Sequence, residues 1–289
     1  MSAGFKRFKE IIDSHTINGA ERYSTWRKSP SQVSTTGVWF DLSMSPGNPT
    51  PKYWFDAVPL TATRVYQSSD GGLFHGGNVS PNRKYLRELM TMAVVATALP
   101  MPMILMDYLM YYPTIDESVT EPQVMFNNVT IPRYTDGAGV QMMAVSIAGR
   151  TGGQTFSVSY TNQDGVSGRT SVTVIQNSVS VIGSIVTSNR AVSAASGAFI
   201  PLQSGDTGVR SIESVTMNGQ DVGLFTLILV RPLAQFSIRG IDAPVEVDYL
   251  RNFSVIPEIK DDAFLNFICL PNGSLGATSI HGSIKTISN

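Results

Sequence analysis

Apolar and polar residues alternate most regularly near the middle of the chain. Residues 154–160 alternate between polar and apolar from Thr155 onward, and residues 168–175 alternate again through Val172 and Val174. Between them, Asn162-Gln163-Asp164-Gly165 has the residue types that favour a tight turn. The pattern therefore predicts a β-hairpin in which each strand has one buried face.

Further segments with apolar or alternating character fill the second half of the chain. Turn signals such as Asn218-Gly219, Pro232 and Pro271-Asn272-Gly273 separate them. The predicted strands are residues 141–148, 179–187, 209–217, 224–230, 235–238, 245–249, 264–270 and 280–287. Short strands at this spacing are typical of an antiparallel β-sandwich or jelly roll. We expect a mainly β protein in which residues 131–289 form such a domain, with an extended N-terminal arm and one or two helices.

Residues 1–80 are predicted to form this arm, which begins with a short amphipathic helix. Its apolar residues recur at helical spacing on one face: Phe5, Phe8, Ile11 and Ile12. The following segment is rich in proline, which excludes regular helix, and it also contains many large aromatic residues. Because such side chains are not expected in a solvated linker, the arm packs either on a neighbouring subunit or on its own β core.

Residues 81–130 are expected to contain a helix and then an apolar segment. Ser80 is a suitable N-cap, Pro81 suits the first turn, and apolar residues recur at helical spacing until Pro100. Residues 103–112 are almost entirely apolar, which predicts a strand that is covered on both faces or pressed into a subunit contact. Prolines within the uncharged stretch argue against a membrane span, so no membrane association is expected.

The composition narrows the possible functions. Charged residues make up 15% of the chain, against about 25% in ordinary soluble domains. The 21 basic and 22 acidic residues nearly cancel, which excludes a strongly basic nucleic-acid-binding protein. The single cysteine, Cys269, lies in an apolar run and is predicted to be a buried, unreactive thiol. The N-terminus lacks the apolar core of a secretory signal, so we expect synthesis in the host cytoplasm.

Histidine-based chemistry is not indicated by the sequence. His15, His75 and His281 are far apart, and none has a second ligand at metal-binding spacing. The glycine-rich segment 71–77 is predicted to be a turn, since the G-x-S-x-G motif of α/β hydrolases does not occur.

The densest group of carboxylates consists of Glu258, Asp261 and Asp262. Adjacent residues on a strand point to opposite faces, so Asp261 and Asp262 share a substrate only if they lie on a turn. A turn after Pro257 explains them without any chemistry. We therefore expect no enzymatic activity, no metal and no cofactor.

The order of these parts resembles that of tailed-bacteriophage virion structural proteins, in particular capsid decoration (cement) proteins. The resemblance rests on overall style and on two stretches, Leu99-Pro100-Met101-Pro102-Met103-Ile104-Leu105 and Pro132-Arg133-Tyr134-Thr135-Asp136-Gly137. It implies a location in the virion, β-sandwich or jelly-roll domains that sit on the shell as dimers or trimers, and arms that clamp adjacent capsid subunits.

The expected partner is the major capsid protein or another virion protein, together with further copies of this chain. The predicted arm or shell contacts are Phe5, Lys6, Arg7, Phe8, Trp26, Trp39 and Trp54. The predicted subunit interface consists of Met101, Met103, Met106, Tyr108, Tyr111 and Tyr112. The alternative is a phage fibre or tailspike-type β protein that binds or hydrolyses a carbohydrate, with Glu258 and Asp261 facing the glycan.

Overall fold

The computed structural model describes residues 4–16, 19–188, 197–241, 243–252 and 255–289. These residues include three short helices, α1 (Phe8–Thr16), α2 (Gln67–Asp70) and α3 (Tyr249–Asn252), and a 3-10 turn at Ala96–Ala98. The strands, in chain order, are β1 (Glu21–Lys28), β2 (Phe40–Asp41), β3 (Gly47–Asn48), β4 (Thr63–Arg64), β5 (Lys84–Ala93), β6 (Met101–Asp116), β7 (Gln123–Val124), β8 (Gln141–Ser146), β9 (Arg150–Thr151), β10 (Thr155–Asn162), β11 (Arg169–Thr170), β12 (Val174–Ile175), β13 (Val179–Ser180), β14 (Val209–Met217), β15 (Leu224–Ile238), β16 (Val245–Asp248), β17 (Glu258–Ile259), β18 (Phe264–Cys269) and β19 (Ile280–Ser288). No helix in these ranges is long and apolar enough to cross a membrane.

A central antiparallel sheet is built around two long strands. Its strand order is β2-β18-β6-β15-β8, with β4 paired to the far end of β6. Strands β6 and β15 run 16 and 15 residues and pair along their whole length, interrupted by bulges. Because each long strand is about 50 Å from end to end at the usual rise per residue, it can support two separate packing layers.

Two further sheets pack side by side on one face of the central sheet. The first flanking sheet has the order β16-β5-β19-β1-β3, with β17 also on β5, and the second has the order β11-β10-β14-β7, with β12 also on β10. Met103 and Leu105 of β6 share a core with the first flanking sheet, whereas Tyr112 of β6 shares a core with the second. The chain therefore forms two β-sandwiches that share the central sheet.

The opposite face of the central sheet is covered by a layer that is mostly loops. Ile104, Met106 and Tyr108 of β6 point to this side, alternating with the residues that face the first flanking sheet. Trp54 and Val65 lie over them and are fully buried. Strand β6 is thus covered on both faces by its own chain, one of the two arrangements that its apolar sequence predicts.

The predicted fold class is confirmed: the protein is mainly β, with antiparallel sheets packed as sandwiches. The predicted hairpin corresponds to β10 with β11 and β12, both of which pair antiparallel with it. Pro232, expected to separate two strands, instead lies inside β15 at a register shift. Leu233 is the unpaired residue of this bulge, so Pro232 borders an interruption of the ladder, where proline is tolerated.

The helix predicted after Pro81 is wrong, because residues 84–93 form strand β5. The cause is a β-bulge: Leu86 is opposite Thr286 and Glu88 is opposite Lys285, so Arg87 is an extra residue on this strand. The bulge shifts the alternation by one residue, so that the buried apolar residues of the strand are Leu86, Leu89 and Ala93. Offsets of three and four imitate a helical stripe.

The expectation of a separate arm over residues 1–80 is also corrected. Strand β1 lies inside the first flanking sheet, between β19 and β3, and pairs with β19 over eight residues. Strand β2 pairs with β18 and strand β4 with β6 in the central sheet. The prolines set loops between these short strands. Trp26, Phe40 and Trp54 of the segment are buried in the chain's own cores, whereas Tyr53 and Phe55 are exposed. The short amphipathic helix is present as α1.

Candidate functional site

The predicted subunit-interface residues do not reach the protein surface. Each is at most 1% exposed and packs in a core of its own chain: Met101, Met103, Met106, Tyr108, Tyr111 and Tyr112. The hydroxyls of the three tyrosines all bond within the chain, for example Tyr108 to Asp41 at 2.7 Å. The apolar run is therefore a central strand, and it is not available to a second subunit.

Two of the three tryptophans predicted as shell contacts are buried as well. Trp54 is fully buried, donates to Asp41 at 2.7 Å and stacks on Tyr108 with ring centroids 5.4 Å apart. Trp26 packs on Phe267 in the core between the central sheet and the first flanking sheet. Trp39 is half-buried against the core between the central sheet and the loop layer. Large aromatic residues in a proline-rich segment thus cover the chain's own sheets.

The predicted contacts in the N-terminal helix remain accessible. Phe8 is 64% exposed, and Lys6 and Arg7 are exposed beside it. Phe5 packs on Tyr85 of β5 with ring centroids 5.6 Å apart. The Ser14 hydroxyl donates to the carbonyl of Ser288, which attaches the other end of α1 to β19. The helix is therefore held on the first flanking sheet while part of its apolar face stays open to solvent.

A helix groove of about 280 Å³ lies between α1 and this sheet. Its apolar floor includes Ile11, Ile12, Leu250 and Ile287, and charged residues of β1, β5 and β19 form the rim. Ile12 is 45% exposed. The charged rim is internally paired, with Lys285 donating to Glu88 at 3.0 Å.

The buried ionisable groups are held in hydrogen bonds within the chain. Asp107 accepts two bonds from Arg133, both 2.8 Å, and a third from the amide of Phe264. Burial raises the pKa of Asp107 to about 6, and the opposing charge of Arg133 limits the rise. Glu117 is likewise bound by Arg150 at 2.7 and 2.9 Å, and burial raises its pKa to about 7.

Asp41 sits at the centre of the loop layer. It accepts from the Trp54 indole at 2.7 Å, from the Tyr108 hydroxyl at 2.7 Å and from the amide and hydroxyl of Ser43. Lys28, whose side chain is also buried, donates instead to loop carbonyls, including that of Pro49 at 2.8 Å. The hydrogen bonds of Asp41 and Lys28 therefore hold the loops of this layer together, and both side chains find their partners within the protein.

His75 has a structural position that the sequence did not reveal. It is fully buried, its Nδ1 is 2.9 Å from the Lys84 ammonium, and its Nε2 is 2.9 Å from the carbonyl oxygen of Ala263. Lys84 also donates to the carbonyl of Gly77 at 2.7 Å. The predicted glycine-rich turn thus closes around a histidine–lysine pair.

Two of the three carboxylates singled out in the sequence, Asp261 and Asp262, lie at a turn, as expected. Asp261 accepts from the amides of Val79 and Ser80 at 2.8 and 3.0 Å. Asp262, at φ 56°, accepts from the amide and hydroxyl of Ser68. Asp261 and Asp262 therefore bind different segments.

Glu258, on β17, accepts from Lys260 at 2.8 Å. It lines a cleft together with Asp261. Among the described ranges, no three His, Cys, Asp or Glu side chains are grouped as a metal ion would need.

A further depression, the tyrosine cleft, consists of two parts of about 650 and 440 Å³ that share lining residues. Both parts are lined by Tyr134, Glu258 and Lys260. The larger part also has Tyr85, Tyr249 and Arg231 in its wall, and the smaller has Arg83, Lys84, Arg133 and Asp261. Sequence reasoning missed this cleft because its walls come from β5, β15, β17 and the loop after Ile131, and no local spacing connects them.

Comparisons with known proteins show no family for this chain. No family model matches it, and no curated protein matches it. One solved structure that matches is titled "Structure of infectious bursal disease virus Gx strain", with 8% sequence identity over 93% of this chain and 79% of that chain. Its TM-score is 0.16, so it supports no conclusion about fold or function.

Proposed function

We propose that this chain is a non-enzymatic structural protein of a virus particle, a capsid decoration protein that binds neighbouring capsid subunits through α1. Its partner is the major capsid protein or another virion protein, and the β-sandwich body forms a dimer or trimer on the shell. The resemblance in chain organisation motivates this proposal, and the exposed apolar face of α1 is the observation that carries it.

The exposure of α1 has an energetic cost that a partner would remove. Phe8 and Ile12 lie one helical turn apart, so their side chains occupy neighbouring positions on one face. They are 64% and 45% exposed, whereas Ile11 of the same helix is half-buried. Covering a phenylalanine and an isoleucine contributes about 1.5 to 3 kcal/mol each when burial is complete.

The charges around this apolar pair indicate the character of the partner surface. Lys6 and Arg7 precede it and are exposed, while Lys9 is neutralised by Asp13 at 2.6 Å. A complementary surface therefore has an apolar depression with carboxylates at the end that meets the start of the helix.

The burial of the carboxylates with raised pKa values supports a non-enzymatic role. Catalytic acids and bases need access to a substrate, and their pKa values are shifted for proton transfer. The carboxylates with raised pKa values, Asp41, Asp107 and Glu117, are each fully buried and accept bonds from neighbouring side chains. None of them lines the tyrosine cleft or the helix groove. Burial raises their pKa values, and the hydrogen bonds by which they attach loops and strands oppose the rise.

The test is attachment to particles. We would purify particles of the virus that encodes the chain, strip or delete this protein, and measure by cosedimentation how much full-length protein rebinds. The double variant Phe8→Ser with Ile12→Ser is expected to lower affinity at least tenfold. Both side chains are exposed in the isolated protein, so its melting temperature should stay close to that of the wild type.

Val166→Ser is the matched control, because Val166 is 51% exposed in the turn after β10, outside the helix groove. It should bind as the wild type does. Equal binding by the double variant would refute the role of α1, and absence of the chain from purified particles would refute the proposed function as a whole. Light scattering during size exclusion measures whether the free protein is a dimer or trimer.

A further inference from the structure

We propose that the tyrosine cleft binds an acidic saccharide, whose carboxylate meets the basic wall while its hydroxyl groups meet Glu258 and Asp261. The proposal is independent of the attachment role of α1. It rests on the mixture of side chains in one cleft, on two buried polar atoms in its wall and on the size of the depression.

The basic wall has more positive charge than the protein as a whole. Four cationic side chains line the smaller part, Arg83, Lys84, Arg133 and Lys260, against the two carboxylates of Glu258 and Asp261. Arg231 lines the larger part. The whole chain, in contrast, has a formal net charge of −1. A cleft with low-dielectric walls and an excess of cations attracts an anionic ligand.

Two polar atoms in this wall have no acceptor or donor among the described residues. They are Nη1 of Arg133 and the hydroxyl of Tyr134, both shielded from solvent. Arg133 is 7% exposed, and its Nε and Nη2 face Asp107, so Nη1 is on the remaining edge of the guanidinium. Buried polar groups are nearly always paired, and an unpaired one calls for an explanation. A ligand oxygen pairs with either atom only if that side chain turns toward the cleft on binding, and we infer that it does so.

Tyr134 connects the two parts of the cleft. Its ring lies between Arg231 and Lys260, with the guanidinium carbon 5.5 Å and the ammonium nitrogen 5.8 Å from the ring centroid. Its backbone is in the left-handed region, at φ 53°, which is costly for a residue with a side chain. The strained backbone and the two cations hold an aromatic ring at the point where both parts meet.

The remaining groups suit a sugar better than a simple inorganic anion. Carboxylates accept hydrogen bonds from hydroxyl groups, and a saccharide has several of these on different carbon atoms, whereas inorganic phosphate at neutral pH has only one or two on a single phosphorus. Glu258 and Asp261 provide such acceptors beside the cations, and Tyr85 and Tyr249 add apolar surface to the larger part. The volumes of about 650 and 440 Å³ lie within the range of small-molecule sites.

The experiment uses the full-length protein and isothermal titration calorimetry with glucuronate, glucose and inorganic phosphate. We expect saturable binding of glucuronate, with glucose and phosphate each at least tenfold weaker. Phosphate that binds as tightly as glucuronate would overturn the assignment to a saccharide. No saturable binding of glucuronate would overturn the proposal entirely.

Lys260→Met tests the location of the site, with Lys285→Met as its matched control. Each lysine pairs with a glutamate, at 2.8 and 3.0 Å, and the two side chains are 38% and 31% exposed. Lys285 lies in the helix groove, away from the cleft. We expect Lys260→Met to weaken glucuronate binding at least tenfold and Lys285→Met to leave it within twofold. Equal effects in both variants would indicate unspecific attraction and refute the site.

Tyr134→Phe gives a second, independent test. Removing a buried hydroxyl without a partner should leave the melting temperature unchanged or raise it, because the desolvation cost of that group is lost. The same variant should weaken glucuronate binding severalfold. Unchanged binding in this variant would contradict the role of the hydroxyl, and a fall in melting temperature would show that the hydroxyl has a partner in the folded chain.

Discussion

Mild acid should destabilise this protein through His75. The Lys84 ammonium has only donors, so Nδ1 of His75 must be the acceptor in their 2.9 Å contact, and Nε2 has the proton that it donates to Ala263. A second ring proton would be placed directly against the ammonium. Burial, and then the charge of Lys84, lower the pKa of His75 from 6.5 to about 4.

The sign and size of the effect follow from proton linkage. Between pH 6.5 and pH 4 the unfolded chain binds a proton at this histidine and the folded chain does not, so stability falls as the pH falls through this window. With these two pKa values, lowering the pH from 7 to 5 removes about 2 kcal/mol of the free energy of unfolding. Asp107 and Glu117 act in the opposite direction, because their raised pKa values of about 6 and 7 make the folded chain bind more protons.

A difference measurement separates His75 from these carboxylates. Urea unfolding at pH 7 and pH 5 is measured for the wild type and for His75→Asn, in which the amide oxygen still accepts from Lys84. The wild type should lose about 2 kcal/mol more than the variant over this interval. His281→Asn makes the same exchange at a partly exposed histidine and serves as the matched control.

Equal pH dependence in the wild type and His75→Asn would refute this reasoning. Side-chain NMR of the wild type at pH 5 gives a check that needs no variant. It should show His75 neutral, with its proton on Nε2.

Three further predictions concern the fold. Trp54→Ala should cost about 3 to 5 kcal/mol in urea unfolding, since it removes a fully buried indole that also binds Asp41, and a cost below about 1 kcal/mol would restore an arm role for this residue. Gly208→Ala should lower the melting temperature, because the added Cβ would lie 1.9 Å from a backbone oxygen, whereas Gly149→Ala, with nothing within 4 Å, should change it little. Cys269 is fully buried, and burial raises its pKa, so it should react with a thiol reagent only after denaturation; rapid reaction in the folded protein would contradict its placement.

Local alternation was enough to locate most of the strands. Strand β14 spans the predicted residues 209–217, and β16, β18 and β19 each begin at the predicted residue. These segments have one face on a core or are buried throughout, and turn residues stop them on both sides. Where a strand stays regular, the period of two is preserved in the sequence and can be recognised without knowledge of its neighbours.

Irregular strands were misread for a definite physical reason. The bulge at Arg87 displaces the alternation of β5 by one residue, and the bulges in β15 allow Pro232 to remain inside a strand. A bulge is specified by the pairing partner across the ladder, here β19 or β6, which lies far away in the sequence. A single segment does not contain that information.

The apolar strand β6 shows a different limit of sequence reasoning. Its residues predict cover on both faces, but hydrophobic burial is not directional, so the same sequence suits cover by its own chain and by another subunit. In this protein Trp54, Met44 and Val65 of the proline-rich segment cover one face of the strand. They form part of the core between the central sheet and the loop layer. Trp54, one of the aromatic residues that led to the prediction of a clamping arm, is thus a buried part of this core.

The tyrosine cleft could not be predicted because its charged groups are fixed by contacts distant in sequence. Arg133 is held by Asp107, and Lys84 by His75 and the carbonyl of Gly77. These contacts hold Arg133 and Lys84 in place in the wall of the cleft. The structural role and the proposed binding role are therefore coupled: protonating His75 would repel Lys84, loosen the loop around Gly77 and disturb the basic wall. If glucuronate binds at this wall, its affinity should fall in the same acid range in which His75 destabilises the fold, and in His75→Asn that fall should be smaller.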